Sequence, residues 1–306
     1  ASEQSALLAS APAGQEAPEL WHRRFGHLSY SGLARMQQHS MVTGLSVPAA
    51  AFSQAAETSV CEPCVEGKQP RAAFPTSSSS RAAEPLGLVH LDLQGPFPTQ
   101  SMGGARYSLT FLDDFSSYSA SVPLHSKKLV PETVKDRLTQ LQRRTGCLVK
   151  IVRSDNGSEF VNSHLGSYFA ASGITHQRSA PYTPEQNGAA ERVQRTLMER
   201  ARAMLIDTKM PANAWAEALV TANYLRNRSP ITSAAKTPYE LMFGSKPDVS
   251  HLRVFGCRAY VHIPKDLRTK LDPVSERGRL LGYMGDSCNY RVLLDSGTIK
   301  LSARVT

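Results

Sequence analysis

Three carboxylates constrain this chain more than anything else in it. The first, Asp92, stands alone among apolar residues in Leu88-Val89-His90-Leu91-Asp92-Leu93, a strand pattern that ends before Gly95-Pro96. The second, Asp155, follows the apolar run 148–152 and precedes Asn156-Gly157, so it marks the place where a strand stops and turns. The third, Glu191, follows the Pro/Gly-rich loop 181–188 and falls early on a long helical pattern, with Thr183-Pro184 as N-cap and first helical position. Residues 156–190 separate the last two acids, enough for a helix over 162–172, a strand over 174–177 and the loop. An ionised carboxylate on a core strand is costly unless something pairs with it. Three brought together would repel one another unless divalent cations lay between them, and oxygen-seeking magnesium, or manganese, suits such a site. Two such ions can activate an attacking oxygen and stabilise the leaving oxygen of an in-line phosphoryl displacement.

The elements around these acids point to an α/β core. Strand patterns at 89–93, 107–113 and 118–123 precede a helix at 131–144 and the strand that ends at Asp155, which predicts a mixed five-stranded sheet with flanking helices. Asp113 and Asp114 form a rival acid pair, but successive strand residues point to opposite faces, so both cannot serve one site; they are expected to shape a strand end and turn. Glu159 is expected to cap the following helix. On the helix of Glu191, Val193, Leu197, Ala201, Met204 and Leu205 share an apolar arc, while Glu191, Arg195 and Arg202 share another. An Arg one turn past the acid is placed to grip a DNA phosphate, or to pair with Glu191 itself. Trp215 reads as core.

A second constellation lies upstream. His22-x4-His27 sits on a helical pattern running from Leu20 to Met41, and after residues 28–60 comes Cys61-Glu62-Pro63-Cys64. Two imidazoles and two thiolates suit a tetrahedral structural zinc ion. The intervening stretch with Pro48 and its alanines reads as a loop. Five cysteines do not make a secreted disulfide framework, and Cys147, Cys257 and Cys288 have no metal spacing. No apolar run reaches membrane-spanning length, so no membrane is expected as partner. A net charge of +9 predicts a polyanionic partner. From His251 onward, short alternating strands with glycine punctuation predict a small β-barrel; its ten Lys/Arg against five Asp/Glu suit DNA phosphates. The domain plan is a disordered leader over 1–19, the zinc-binding module over 20–66, a linker over 67–85, the core over 86–245 and the basic barrel over 246–306.

The triad and its spacing resemble the Asp, Asp, Glu set of retroviral-type integrases on a ribonuclease-H-like fold. The wording Trp21-His22, Gly26-His27-Leu28, Phe111-Leu112-Asp113-Asp114-Phe115-Ser116, Ser154–Phe160 and Phe255-Gly256-Cys257 resembles specifically the copia class of LTR retrotransposons, from about Leu20 to the end. The resemblance implies a polynucleotidyl transferase that joins the 3′ ends of element cDNA to target DNA, with Asp92, Asp155 and Glu191 as catalytic metal ligands. It leaves open whether the ends are trimmed first. It also implies that Tyr182, Gln186 and Asn187 contact the DNA end, that His22, His27, Cys61 and Cys64 form the amino-terminal zinc module, and that the chain acts as a homo-multimer. Many integrases carry a basic residue seven past the glutamate. Met198 stands there in this chain, which shifts the DNA grip to Arg192, Arg195 or Arg202. The absence of an initiator Met fits a piece of a polyprotein made in the cytoplasm and acting in the nucleus, with a host chromatin tether as a further partner. The competing readings are a nuclease of the same fold and a non-catalytic DNA-binding relic.

Overall fold

The computed structural model describes residues 17–68, 81–178, 188–232, 234–285, 289–303 and 305. Four short helices come first: α1 (Pro18–Arg24), α2 (Tyr30–Gln38), α3 (Ala49–Thr58) and α4 (Glu62–Lys68). The single helix expected over 20–41 is in fact two. Gly26 and His27 adopt left-handed φ values of 59° and 61°, which no helix continues through, and Ser29 then caps α2 by accepting from the Gly32 N–H. The loop expected around Pro48 is also a helix, α3, with Pro48 as its extended N-cap and Phe52 and Ala55 buried. A run of alanines has high helix propensity and needs only that apolar stripe to dock.

The core sheet has the order β3-β2-β1-β4-β5, from β1 (Leu88–Gln94), β2 (Tyr107–Asp113), β3 (Ser119–Leu124), β4 (Ile151–Ser154) and β5 (Thr175–Arg178). The first three strands are antiparallel; β4 and β5 run parallel to β1. This is the expected mixed five-stranded sheet with flanking helices. Strand alternation sends Val89, Leu91 and Val152 to one face, where α5 (Val130–Thr145) and α6 (Ser163–Ala171) bury Val134, Leu138, Leu165 and Phe169. His90 and Asp92 therefore face the other side, which α7 (Gly188–Thr208) and α8 (Trp215–Asn227) cover. Trp215 is core, as expected: it packs on Phe97 at 4.1 Å between ring centroids and donates its Nε1–H to the Thr99 carbonyl.

β3 is an edge of this sheet, and α8 covers part of that edge with side-chain amides. Asn227 Oδ1 accepts from the Ser119 N–H at 2.9 Å, while Asn223 and Asn227 both donate to the Ser119 carbonyl. That occupation hides backbone groups an added strand would otherwise pair with. Asp113 and Asp114 behave as a strand end and turn. Asp113 is buried and accepts from the Leu86 N–H, the Ser116 N–H and the Ser116 hydroxyl; Asp114 accepts from the Ala82 N–H and pairs with His90 at 3.3 Å. Glu159 does not cap α6. Asn162 caps α6, and Glu159 instead pairs with Lys127 at 3.0 Å.

After α9 (Pro238–Phe243) comes a four-stranded antiparallel sheet, β6 (Arg258–His262), β7 (Ser275–Tyr283), β8 (Tyr290–Leu294) and β9 (Ile299–Ser302), in that order. A bridge from Val305 to Val261 brings the chain's end back to β6. The strands expected from His251 onward start only at Arg258: Gly256, at φ 72°, lies so close to Thr208 that a Cβ would stand 2.6 Å from it. One apolar core runs from α1–α3 through α7 and α8 into this second sheet, and the Arg291 guanidinium clamps Glu217 of α8 with two hydrogen bonds. Among the described residues no helix is long and apolar enough to cross a membrane. Asp113→Ala orphans two backbone N–H donors, one at Leu86 and one at Ser116, and is expected to cost roughly 3 kcal/mol in chemical unfolding.

Candidate active site and metal centre

The parallel register of β1 and β4 pairs Leu88 with Ile151 and His90 with Arg153. Extended by two residues, it sets Asp92 level with Asp155, just past the end of β4. The third acid arrives on α7, whose first turn carries Glu191. Gln194, one turn on and only 7% exposed, donates its side-chain amide to the Asp92 carbonyl at 3.2 Å. That bond ties the helix of Glu191 to the strand of Asp92 at the site itself. A polar residue on the apolar arc of an amphipathic helix was the available sequence signal for Gln194.

The charges of the three acids are felt. Burial, then the negative charges of Asp155 and Glu191, push the Asp92 carboxyl up to about 6. Asp155 receives the Gly157 N–H at 3.0 Å. Among the described residues no Lys, Arg or His forms an ion pair with any of the three, and Glu191 does not pair with Arg195. Two carboxylates at the carboxyl ends of adjacent parallel strands and a third on the first turn of α7 are near enough for their charges to be felt at Asp92, though their oxygens are not gathered as closely as the donors of His22, His27, Cys61 and Cys64. Acid clusters of this kind are what divalent ions of the magnesium type bind. A groove at Glu191 is lined also by Gln94, Gln194, Arg195, Met198, Glu199 and Arg202, which puts Arg195 and Arg202 on the face of Glu191, with Glu199 between them. Arg202 also donates to the Gly67 carbonyl at 3.0 Å. Arg192 lies elsewhere, in a second groove against Arg81 and Arg226. Tyr182, Gln186 and Asn187 lie outside the described residues.

The His and Cys residues do converge. His22 closes α1, His27 takes the left-handed turn after it, and Cys61 and Cys64 flank the start of α4. Their donor atoms all lie within 4.8 Å of one another, the one such His/Cys/Asp/Glu group among the described residues. His22 Nε2 is 3.3 Å from Cys64 Sγ, His27 Nδ1 is 3.3 Å from Cys61 Sγ, and the two nitrogens are 3.2 Å apart. Tetrahedral zinc with ordinary bond lengths has ligand–ligand edges of roughly 3.3–3.5 Å for such N–N and N–S pairs, so the donors fit that ion. Their outer nitrogens are held as well. His22 Nδ1 meets the Leu28 carbonyl at 2.7 Å, and His27 Nε2 faces the Asp207 carboxylate at 3.7 Å, itself gripped by Arg23 at 2.9 Å. Burial and the proximity of His27 lower His22 to about 4. Burial works the same way on His27, but Asp207 and the two cysteines override it and raise that group to about 10. Asp207, on the last turn of α7, gave no sequence signal.

Three domain models match in chain order: "GAG-pre-integrase domain" over residues 2–69, "Integrase core domain" over 82–184 and "Retroviral polymerase SH3-like domain" over 257–306. The Pol polyprotein of transposon TNT 1-94 from Nicotiana tabacum is 38% identical over 90% of this chain, and that of transposon RE1 from Arabidopsis thaliana 32% identical over 92%. This chain carries an integrase core, and its resemblance to the copia type holds. It spans only about a fifth of these Pol polyproteins, 20% and 19%. Among solved structures, the HTLV-2 integrase catalytic core domain in complex with magnesium is similar at a TM-score of 0.42 and 15% identity, covering 53% of this chain and 99% of that one. A chain of the simian T-cell lymphotropic virus intasome in complex with a PP2A regulatory subunit is similar at a TM-score of 0.47 and 14% identity, covering 88% and 95%. The Integrase core match ends before Glu191, so the place of that acid in this copia-type core rests on α7 and its contact with β1.

Two outcomes follow. An unfolded Asp has a pKa near 3.9, so a folded value of about 6 makes the metal-free protein lose stability as pH rises between them, with the whole penalty present at pH 7. Asp92→Asn removes that penalty: it is expected to stabilise the metal-free protein by about 2 kcal/mol at pH 7, flatten the slope between pH 4 and 6 in thermal melts, and abolish stabilisation by magnesium. Zinc added to the metal-free protein at neutral pH is expected to release protons, His27 among the sources, measured by calorimetry in buffers of different ionisation enthalpy; Asp207→Asn is expected to weaken zinc binding about 10- to 100-fold.

Proposed function

We propose that this chain is a copia-type integrase that joins the 3′ ends of element cDNA to target DNA. The observation that supports this best is that Asp155, at the end of the strand beside β1, and Glu191, on the first turn of α7, lie near enough to Asp92 to raise its carboxyl, with no Lys, Arg or His ion-paired to any of the three among the described residues. Divalent cations bound by these acids would supply activation of the attacking 3′-hydroxyl oxygen and stabilisation of the leaving one. The chain's own residues set the geometry. Asp92 is fixed by a central strand, Asp155 by the turn that follows its neighbour, and Glu191 by the Gln194 tether. Arg195 and Arg202 are placed to bind backbone phosphates of the DNA end, and on this reading Tyr182, Gln186 and Asn187, outside the described residues, are further DNA contacts. In the reaction the 3′-oxygen forms a bond to a target phosphorus, and the bond from that phosphorus to its own 3′-oxygen breaks. One phosphodiester replaces another, so no nucleotide cofactor is consumed; the hydroxyl proton leaves to solvent and the expelled 3′-oxygen takes one up.

The same reading assigns zinc to His22, His27, Cys61 and Cys64 as a structural ion, and double-stranded DNA to the basic carboxy-terminal sheet. The Val261–Val305 bridge favours a barrel for that sheet. Joining two DNA ends calls for a multimer, and the substrate calls for action in the nucleus. The division at 20–66, 86–245 and 246–306 is retained, with a core shared across its boundaries.

The test is strand transfer of a labelled duplex carrying the element's terminal sequence into plasmid DNA with magnesium. Wild type is expected to form joined products. Glu191→Gln, which keeps shape and removes the charge, is expected to lose at least about a thousandfold in rate. Cleavage without joining would replace this reading with a nuclease, and DNA retention without chemistry in either protein would replace it with a binding relic.

A further inference from the structure

Arg192 immediately follows Glu191, and on an α-helix that turns it about 100° round the axis. It opens into a groove of about 320 Å³ whose walls are Arg81, the turn after β2 with Asp114 and Ser117, Thr196 one turn along α7, and Arg226 near the end of α8. Its charge is unbalanced in a definite way. The two carboxylates on its wall are already engaged, Asp113 by three donors and Asp114 by His90 and the Ala82 N–H. Arg226 is half-buried and forms no ion pair among the described residues; one of its nitrogens donates to the Ser117 carbonyl at 2.7 Å and to the Ser119 hydroxyl at 3.1 Å. Arg226 itself lines the groove. Burial, then the nearby Arg200 and Arg81, lower Arg226 to about 9, the mark of cations gathered close together. This is the mirror image of the acid cluster on the neighbouring face of the same helix.

We propose that this groove is a second phosphate-binding site, in which Arg81, Arg192 and Arg226 hold backbone phosphates of double-stranded DNA on a face of α7 separate from the acids. Planar guanidinium forks match phosphate oxygens two at a time, and the Ser117 hydroxyl, which accepts from Arg81 and so is turned toward it, is a further donor of the kind that positions a backbone without reading bases. DNA is favoured over a protein partner because the groove begins one residue past Glu191, so a duplex lying at the acids passes it. The assignment deepens the integrase reading and rests on it for the identity of the DNA, but its chemistry is independent of catalysis.

The test measures binding of a fluorescent mixed-sequence duplex by anisotropy across a salt series, with strand transfer assayed separately. Each of Arg192→Gln and Arg226→Gln is expected to reduce the slope of log affinity against log salt by about 1, and Arg81→Gln with Arg192→Gln by about 2. Glu191→Gln is expected to leave that slope unchanged while abolishing joining. Because Arg226 also ties α8 to the Ser117 turn, the Arg81/Arg192 double variant carries the test should Arg226→Gln fail to fold in thermal melts. Wild-type slopes in the Arg81/Arg192 variant would overturn the groove, whether or not the protein joins DNA. Reduced slopes in a protein that never joins DNA would keep the groove and overturn the integrase reading instead.

Discussion

The structure depends on how α7 lies across the polar face of the core sheet. At one end Gln194 donates to the backbone of Asp92; at the other Asp207 faces His27. The sixteen helical steps from Glu191 to Asp207 span about 24 Å at the helical rise, so one rigid rod joins the acids to the His/Cys centre. Between those ends, Gly67 of α4 comes so close that a Cβ there would stand 3.3 Å from Ala203, and Arg202 donates to the Gly67 carbonyl. The amino-terminal helices are therefore fitted against the catalytic helix, with side chains of α7 reaching their backbone and their histidine.

That arrangement concentrates like charges and separates them by face. The acids collect where β1 and β4 end, the arginines collect on the adjacent face of α7 and along α8, and the few carboxylates near the arginines are spent on backbone donors and on His90. Gathering like charges costs the isolated chain stability, a cost that an external partner of opposite charge would relieve. A fold optimised for its own stability would interleave them. Here the stabilising work is left to the apolar core that runs from Trp21 and Phe25 through Leu197 and Leu219 to Leu281 and Val292.

What was legible in the sequence follows from which interactions are local. The core strands show the period-2 alternation and apolar runs that a half-buried sheet demands, and β1, β2 and β3 fall within one residue of where that pattern puts them. The convergence of the His and Cys residues was legible because a Cys-x-x-Cys turn with a paired histidine set has few other uses. The break at Gly26-His27 was not, because His27 at φ 61° is held by its place between Asp207 and Cys61, contacts made across the fold. The same holds for α3: an alanine stretch becomes a helix when α2 offers Phe52 a place to bury.

The arginines give the sharpest case. From spacing, Arg192, Arg195 and Arg202 were interchangeable candidates for one phosphate grip. Helical geometry alone separates Arg192 from the other two, but whether its face is solvent or a built groove depends on Arg226 and Arg81, distant in sequence and brought there by the packing of α8 on β3 and by the backbone of Ala82 bonded to Asp114. Asn223 and Asn227 hold α8 on the edge strand, and in doing so they fix where Arg226 stands. The polar seam that protects a sheet edge thus also decides that the start of α7 has two basic faces rather than one.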